Sequence, residues 1–152
     1  MGLTTEGLNH LGYVLVNGST LDLLDASGNA PSAGLNYASI PCVWESYPSL
    51  VTDPEKEHIA VFTAENGVLT NKYEFLTNEA DDPSYDYGSG TPGPGWGTLT
   101  QISISSNGTE LYRGNLTNSS GQASSVTVPQ DYQVRFKTGA IRITFTVTEV
   151  QA

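Results

Sequence analysis

Hydrophobic residues near the N-terminus recur at helical spacing. Leu8, Leu11 and Leu15 lie at positions i, i+3 and i+7, which places their side chains on one face of an α-helix. Thr4 or the threonine after it can cap the first turn through a side-chain oxygen. Two glycines within the stretch weaken the helix by up to about 1 kcal/mol each relative to alanine. The pattern predicts a short helix over about residues 5–16 that depends on a partner surface for its order.

Residues 17–38 are rich in Gly, Ser, Asn and Asp, a composition typical of an extended arm or a long loop. One apolar group interrupts this stretch: Leu21, Leu23 and Leu24. We therefore expect residues 1–38 to form an N-terminal arm with a possible short helix. Residues 39–152 are expected to form the folded β domain.

Two Asn-Gly pairs predict β-hairpins. Asn66-Gly67 lies inside the alternating stretch 58–76, and Asn107-Gly108 separates residues 98–105 from residues 109–114. Asn and Gly adopt positive φ at low cost, as the tight turns between paired strands require. We expect a hairpin at each pair.

The last third of the chain alternates most regularly. Ile141, Ile143, Phe145 and Val147 occupy every second position, and seven residues of period two span about 20 Å at about 3.3 Å per residue. Such a strand is half-buried in a sheet. Together with a short strand at Ile40–Trp44 and the two hairpins, it predicts an all-β fold. We expect an antiparallel β-sandwich, jelly-roll or immunoglobulin-like, with an N-terminal arm or short helix.

A Gly-, Pro- and acid-rich stretch at about 78–97 predicts a long exposed loop, because this composition resists both helices and ladders. Its acids include Glu79, Asp81, Asp82 and Asp86. Glycoside hydrolysis needs two carboxylates held about 5 to 9.5 Å apart in a cleft, which a Pro-Gly loop preorganises poorly. A hydrolase hypothesis predicts that alanine at Glu79 or Asp82 abolishes turnover. Calcium binding is a further alternative, but solvated charge is the favoured interpretation, and we expect no metal or cofactor.

Acidic side chains outnumber basic ones by 16 to 6, which gives a formal net charge of -10. This charge repels phosphate backbones and anionic lipids, so neither nucleic acid nor a membrane is an expected partner. The imbalance is uneven along the chain, because four of the six bases follow Tyr112. Complementary ends of this kind can favour head-to-tail contacts between copies, although an ordinary solvated surface explains them equally well.

The candidate nucleophile Cys42 has Pro41 and Val43 as neighbours in an apolar strand. A buried, inert thiol is the favoured interpretation. The two histidines, His10 and His58, lie far from each other along the chain, and no nucleophile motif accompanies them. We therefore expect no enzymatic activity. A single cysteine cannot close an intrachain disulfide, which fits synthesis in a reducing compartment.

Aromatic residues beside Pro and Gly raise the possibility of a sugar-stacking platform. They are Trp44, Tyr47, Tyr85, Tyr87 and Trp96. Aromatics in this setting more often close the end of a sandwich or form a subunit contact, and that interpretation is favoured.

Several stretches resemble a recurrent pattern of small tailed-bacteriophage virion proteins. Residues 95–104 read GWGTLTQISI and residues 111–117 read LYRGNLT, similar to a WGTVTH strand followed by a turn and LYxGxLT. Residues 128–146 are similar to the closing segment of those proteins, and the N-terminal MGLTTEGLN is similar to their start. Gln101 stands where the pattern has His. The resemblance covers about half of the chain.

The resemblance implies a structural virion protein, above all a capsid cement or decoration protein that bridges neighbouring capsid subunits. Its implied partners are the major capsid protein and copies of itself in a homotrimer, on the capsid surface, after synthesis in the bacterial cytoplasm. The arm would supply the apolar anchors Leu8, Leu11, Leu15, Leu21, Leu23 and Leu24. The alternative is a tail- or fibre-associated module that binds a receptor or carbohydrate, with Tyr85, Tyr87 and Trp96 at its exposed tip.

Overall fold

The leucine spacing near the N-terminus forms the predicted helix. The computed structural model of the chain describes residues 4–45, 58–81 and 93–144. Helix α1 spans Thr5–Val16, and Thr4 caps it with an extended backbone and a side-chain oxygen that accepts a hydrogen bond from the Gly7 amide at 3.1 Å. The helix prediction is confirmed.

Short strands make up most of the remaining regular structure. They are β1 (Thr20–Leu24), β2 (Ile40–Trp44), β3 (Ala60–Glu65), β4 (Val68–Asn71), β5 (Phe75–Leu76), β6 (Gly97–Leu99), β7 (Gln101–Ser106), β8 (Thr109–Asn115), β9 (Val126–Val128), β10 (Arg135–Phe136) and β11 (Arg142–Thr144). One 3-10 turn lies within the described part of the chain, at Ala33–Leu35. The chain is therefore all-β with a short N-terminal helix, as predicted.

Seven strands form one sheet in the order β11-β4-β3-β2-β1-β7-β8, while β5 pairs with β10 and β6 pairs with β9. The pairings are antiparallel except that β2 and β3 run parallel. This sheet is thus mixed where the sequence predicts purely antiparallel strands. The parallel pair arises because β3 does not follow β2 through a tight turn, and a longer connection lets two strands run in the same direction.

Both predicted hairpins are confirmed. Asn66 and Gly67 have φ values of 54° and 77° between β3 and β4, and Asn107 and Gly108 have φ values of 51° and 79° between β7 and β8. The stretch 98–105 is divided, however, into the end of β6 and most of β7. The break falls where the Thr100 amide donates to the Leu24 carbonyl at 2.9 Å.

The predicted arm contains a central strand of the sheet. β1 lies between β2 and β7, and Leu21 and Leu23 are fully buried in it, with Leu24 5% exposed. The expectation of an arm or loop over residues 17–38 is therefore wrong for residues 20–24, which belong to the same core as the rest of the sheet. Residues 25–38 form a loop with one 3-10 turn, as that composition predicts. A strand of five residues between turn-forming residues is too short to change the local composition.

One core joins the helix, the large sheet and the two small sheets. Its fully buried side chains include Phe62, Leu69 and Phe75, and Phe75 stacks on Phe136 with ring centroids 4.8 Å apart. Val16 brings the end of α1 into the same cluster. The described elements therefore share a single hydrophobic centre.

A buried amide holds the start of β11 in place. Asn71 donates from Nδ2 to the carbonyls of Tyr73 and Lys137, at 3.0 and 2.8 Å, and its Oδ1 accepts from the Ile141 amide at 2.9 Å. Ile141 and Ile143 are buried while the residues between and after them are exposed, as the alternating pattern predicts. Phe145 and Val147 lie outside the described residues.

Candidate functional site

Four large apolar side chains in the described residues are exposed to solvent: Leu11 by 37%, Val14 by 59%, Leu111 by 42% and Tyr132 by 60%. Two of them, Leu11 and Val14, are one turn apart on α1, and Leu111 is on the edge strand β8. Clustered exposed apolar groups mark interaction sites more often than isolated ones do. The candidate site is therefore the surface around α1 and β8.

The opposite side of α1 packs against the β3–β4 turn and β2 of the same chain. Leu8 packs against the β3–β4 turn, where a Cβ on Gly67 would lie 3.2 Å from Leu8 Cδ1, and the Gly67 amide donates to Asn9 Oδ1 at 3.3 Å. The Tyr13 and Trp44 rings meet edge to face, with centroids 5.8 Å apart. The expectation that this segment needs a partner for its order is wrong, because the sheet supplies the packing surface.

The end of α1 lies over a pocket of about 240 Å³, which we call the helix-end pocket. Its lining comes from α1 and from four strands, including both edges of the large sheet: Leu15, Val16, Leu69, Ile104, Leu111, Tyr112, Ile143 and Thr144. Since the two edge strands β8 and β11 line one pocket, the sheet curls until its edges face each other. We call the gap between these edges the seam.

A β-bulge places Leu111 at the rim of the helix-end pocket. Glu110 is paired with Ser105 and Tyr112 with Ile104, so Leu111 has no counterpart on β7. A bulge bends a strand and redirects a side chain, and bulges are frequent beside functional sites. The extra residue here is a leucine, which projects an apolar group toward solvent at a sheet edge.

A second pocket of about 270 Å³ opens farther along the seam; we call it the β10 pocket. It is lined on one side by Asn115 and Leu116 at the end of β8, and on the other by Ala140 and Ile141 just before β11. Its floor is largely apolar and includes Phe136. Residues of both sheet edges therefore line two pockets, and the second of these also has polar residues in its lining.

The leucines proposed as partner anchors have two different positions. Leu21, Leu23 and Leu24 are buried in the core, so their assignment as anchors is wrong: a β-ladder on each side of β1 encloses them. Leu8 and Leu15 are half-buried, while Leu11 is exposed. Val14 and Leu111, which the sequence did not single out as anchors, are more exposed than Leu11. Leu111 differs from the other residues of β8 in lying at the bulge, and the bulge is visible only once the strand register is known.

The proposed exposed tip is not formed by Trp96. Its ring is 6% exposed, its Nε1 donates to the Leu35 carbonyl at 2.8 Å, and Tyr37 meets it edge to face at 5.2 Å. This assignment is wrong, because the indole closes the core. Tyr85 and Tyr87 lie outside the described residues, as does Tyr47.

The Tyr37 hydroxyl belongs to a hydrogen-bonded network on β1. It donates to Asp22 Oδ1 at 2.7 Å and accepts from the Leu23 amide at 2.9 Å. Ser39 Oγ donates to the same carboxylate oxygen at 2.6 Å. Burial, reinforced by the bond to Asp22, raises the pKa of Tyr37 well above its usual range. The network fixes the segment after β1 against the sheet.

The thiol prediction is confirmed. Cys42 is 1% exposed, and burial raises the pKa of its thiol to about 12, so the thiolate is scarce near neutral pH. His58 Nδ1 lies 2.6 Å from the Leu76 carbonyl oxygen. Glu79 is exposed, and Asp82 and Asp86 fall outside the described residues.

Within 4–45, 58–81 and 93–144, His, Cys, Asp and Glu side chains do not gather in groups of three or more that could hold a metal ion. In this same part of the chain, no helix has the length and apolar character needed to cross a membrane.

No model of a known protein family matches the chain, and no curated protein or solved structure shows significant similarity to it.

Proposed function

We propose that this chain is a structural protein of a tailed-bacteriophage virion, and that it acts as a capsid cement or decoration protein. It binds the outer shell, bridges neighbouring capsid subunits and stabilises the shell without catalysing a reaction. Its partners are the major capsid protein and further copies of itself. The sequence resemblance at residues 95–104 and 111–117 motivates this choice of assembly.

The observation that carries the proposal is the exposed apolar face of a helix whose other face packs against the chain's own sheet. Leu8 and Val16 pack α1 against the sheet, whereas Leu11 and Val14 on its other side are exposed. Burying such side chains against another protein removes apolar area from water and favours association. A small domain that leaves apolar side chains of one helix exposed is suited to binding another protein.

The expected mechanism is mechanical. A protein that binds only the assembled state of its partner shifts the equilibrium toward assembly by mass action. Each copy that contacts two capsid subunits adds buried interface to the shell. In this proposal α1 provides one of those contacts.

A point variant tests this better than a truncation. Removing residues 1–20 would delete Val16, which is 2% exposed in the core, and the first residue of β1. The double variant Leu11→Asp/Val14→Asp instead changes only the exposed face of α1. The matched control is Tyr132→Asp, which places the same charge at an exposed apolar residue outside the helix.

The measurement is co-sedimentation of purified protein with empty capsids and, separately, with host envelope polysaccharide. We expect the parent and Tyr132→Asp to sediment with capsids, and the double variant to lose at least about ten-fold in capsid affinity because two charges must be desolvated at the interface. Equal capsid binding by all three proteins would contradict the role of α1. Sedimentation of the parent with polysaccharide alone would favour the tail or fibre module instead.

A further inference from the structure

Besides the two hairpin turns, a third Asn-Gly pair follows helix α1, so the pairs are Asn17-Gly18, Asn66-Gly67 and Asn107-Gly108. In such a pair the glycine amide nitrogen can attack the asparagine side-chain carbonyl, because glycine has no Cβ to hinder the approach. We propose that Asn107 is a site of spontaneous deamidation and isomerisation, and that the fold protects the other two asparagines. This proposal does not rest on the proposed function.

The reaction at Asn107 takes only water as co-reactant. The Gly108 nitrogen forms a bond to Asn107 Cγ, the Cγ–Nδ2 bond breaks, and the displaced amide leaves as ammonia with the proton from the Gly108 nitrogen. The remaining five-membered succinimide ring then adds water. Attack of water on Cγ yields aspartate, while attack on the main-chain carbonyl carbon yields isoaspartate, whose backbone runs through Cβ and Cγ.

Both reacting groups of the first Asn-Gly pair are held by hydrogen bonds. The Gly18 amide donates to the Cys42 carbonyl at 3.0 Å, and Asn17 Oδ1 accepts from the Trp44 amide at 3.1 Å. These bonds join the end of α1 to β2. Asn17 therefore reacts only after this junction opens, because its side chain and the Gly18 nitrogen have to leave their partners.

The second Asn-Gly pair has its nucleophile covered by α1. Asn66 is exposed, but Gly67 is buried, and its amide donates to Asn9 Oδ1 at 3.3 Å. A Cβ on Gly67 would lie 3.2 Å from Leu8 Cδ1. The Gly67 nitrogen is thus protected both by a hydrogen bond and by close packing against the helix.

The third Asn-Gly pair has nearly the same backbone conformation as the second, but it lacks this cover. The φ values of Asn107 and Gly108 are 51° and 79°, compared with 54° and 77° in the β3–β4 turn. Both residues are exposed, and a Cβ on Gly108 would have no heavy atom within 4 Å. Among the described residues, neither the Gly108 amide nor the Asn107 side chain has a hydrogen-bond partner. Tertiary cover, rather than turn geometry, distinguishes the two hairpins.

The strand ladder also favours reaction at this turn. The bulge after Ile104 separates the last two residue pairs of the β7–β8 ladder from the rest, whereas the β3–β4 ladder keeps one register up to its turn. Asn107 has to rotate its backbone to bring Cγ to the Gly108 nitrogen. A short piece of ladder beyond a bulge opens locally more easily than a continuous one, and this opening allows the rotation.

The reaction would change the tip of the β7–β8 hairpin. Either product adds one negative charge there. Isoaspartate also adds a main-chain carbon, which does not fit a two-residue turn and should disrupt the closing pair of Ser106 and Thr109. Modified chains can be separated by anion exchange. Their amides at Ser106 and Thr109 should exchange hydrogen faster than in the parent, while those of α1 should not change.

Peptide mapping tests the ranking, because cleavage after Lys and Arg puts each Asn-Gly pair on its own peptide: residues 1–56, 57–72 and 73–113. The folded chain is incubated at mildly alkaline pH and digested, and tandem mass spectrometry measures deamidation at each asparagine. A sample digested without incubation corrects for reaction during the digest. We expect Asn107 to react at least about ten-fold faster than Asn17 or Asn66, because the latter two must first lose hydrogen bonds.

Two controls separate the fold from the local sequence. In guanidinium chloride the three pairs should react at similar rates, because the unfolded chain protects none of them. Asn9→Ala releases the Gly67 amide and should accelerate deamidation of Asn66 at least about three-fold, without changing the rate at Asn107. His10→Ala, at the next position of α1, should leave both rates unchanged. Circular dichroism checks that each variant is folded.

Deamidation of Asn17 or Asn66 as fast as that of Asn107 in the folded chain would overturn the proposal. Reaction of Asn107 in guanidinium chloride alone would overturn it as well. A ranking that persists in the unfolded chain would refute protection by the fold, and an unchanged rate at Asn66 in Asn9→Ala would refute the role of that hydrogen bond. Capsid binding, or its absence, affects none of these outcomes.

Discussion

Helix α1 and strand β1 are neighbours in the sequence and share a leucine-rich composition, yet all leucines of β1 are buried while those of α1 are half-buried or exposed. Leu21 and Leu23 on β1 are fully buried, whereas Leu11 on α1 is 37% exposed. β1 has a hydrogen-bonded strand on each side, while α1 rests on the sheet through one face only. Tertiary pairing, rather than the number of leucines, decides which of them form the core and which remain available to a partner.

Under the proposed function, this difference separates residues that stabilise the fold from residues that bind a partner within the first 24 residues. Changes on β1 should reduce the free energy of unfolding, because they open cavities in a closed core. Changes on the outer face of α1 should leave it nearly unchanged and reduce binding to a partner.

The largest effect is expected for Leu23→Ala. Leu23 is fully buried, and truncating a buried leucine lowers the free energy of unfolding by about 3–5 kcal/mol through lost burial and an unfilled cavity. Urea unfolding followed by tryptophan fluorescence measures the change. The matched control is Leu11→Ala on α1, which should cost less than about 1 kcal/mol. Equal losses for the two variants would remove the distinction between core and surface.

Alkaline pH should weaken the junction between α1 and β1. Cys42 lies there, and its amide donates to the Ser19 carbonyl at 2.9 Å. The folded chain keeps the thiol protonated up to a pKa of about 12, while the unfolded thiol ionises from its ordinary value of 9.0. Unfolding then releases a proton, so the free energy of unfolding should fall by about 1 kcal/mol per pH unit as the pH rises from 9 toward 12.

Urea titrations at pH 8, 9, 10 and 11 measure this loss, and Cys42→Val is the control that removes the thiol contribution. Tyr37 adds a loss of the same sign above its ordinary value of 10.0, because burial favours its neutral form. The parent and Cys42→Val should therefore diverge first below that pH. Identical pH profiles would show that the buried thiol does not influence stability.

The smallest effect concerns the helix cap. Thr4→Ala removes the side-chain oxygen that accepts from the Gly7 amide, which should cost about 1 kcal/mol of helix stability. Hydrogen exchange should accelerate for the amides of α1 and remain unchanged for those of β1. Thr5→Ala, inside the helix, is the control. Faster exchange throughout the sheet would mean that α1 and β1 open as one unit.

Local patterns in the sequence predicted the elements that local chemistry determines. The Asn-Gly pairs predicted both hairpins, the spacing of Leu8, Leu11 and Leu15 predicted α1, and alternation predicted that Ile141 and Ile143 are buried. β1 was not predicted because its five residues form a strand only by pairing with β2 and β7, which are distant from it in the sequence. Burial of Trp96 likewise depends on Leu35 and Tyr37, which are distant in the sequence.

The candidate site was harder to predict than the fold. Its exposed helix face includes Leu11, which the leucine spacing identified as a partner anchor. It also includes Val14, which is not part of that leucine pattern. Leu111 is exposed through a bulge that becomes visible only once β7 and β8 are in register. The seam requires the curl of seven strands to bring β8 beside β11. Curl and register are properties of the whole sheet, so a single sequence pattern does not encode them.

A cryo-electron microscopy map of the intact virion would show whether the chain binds to a virus particle, as proposed. We expect density for this fold on the outer shell where capsid subunits meet, with the Leu11 and Val14 face of α1 against a capsid subunit. Density confined to the tail, or a particle that lacks the fold altogether, would contradict it.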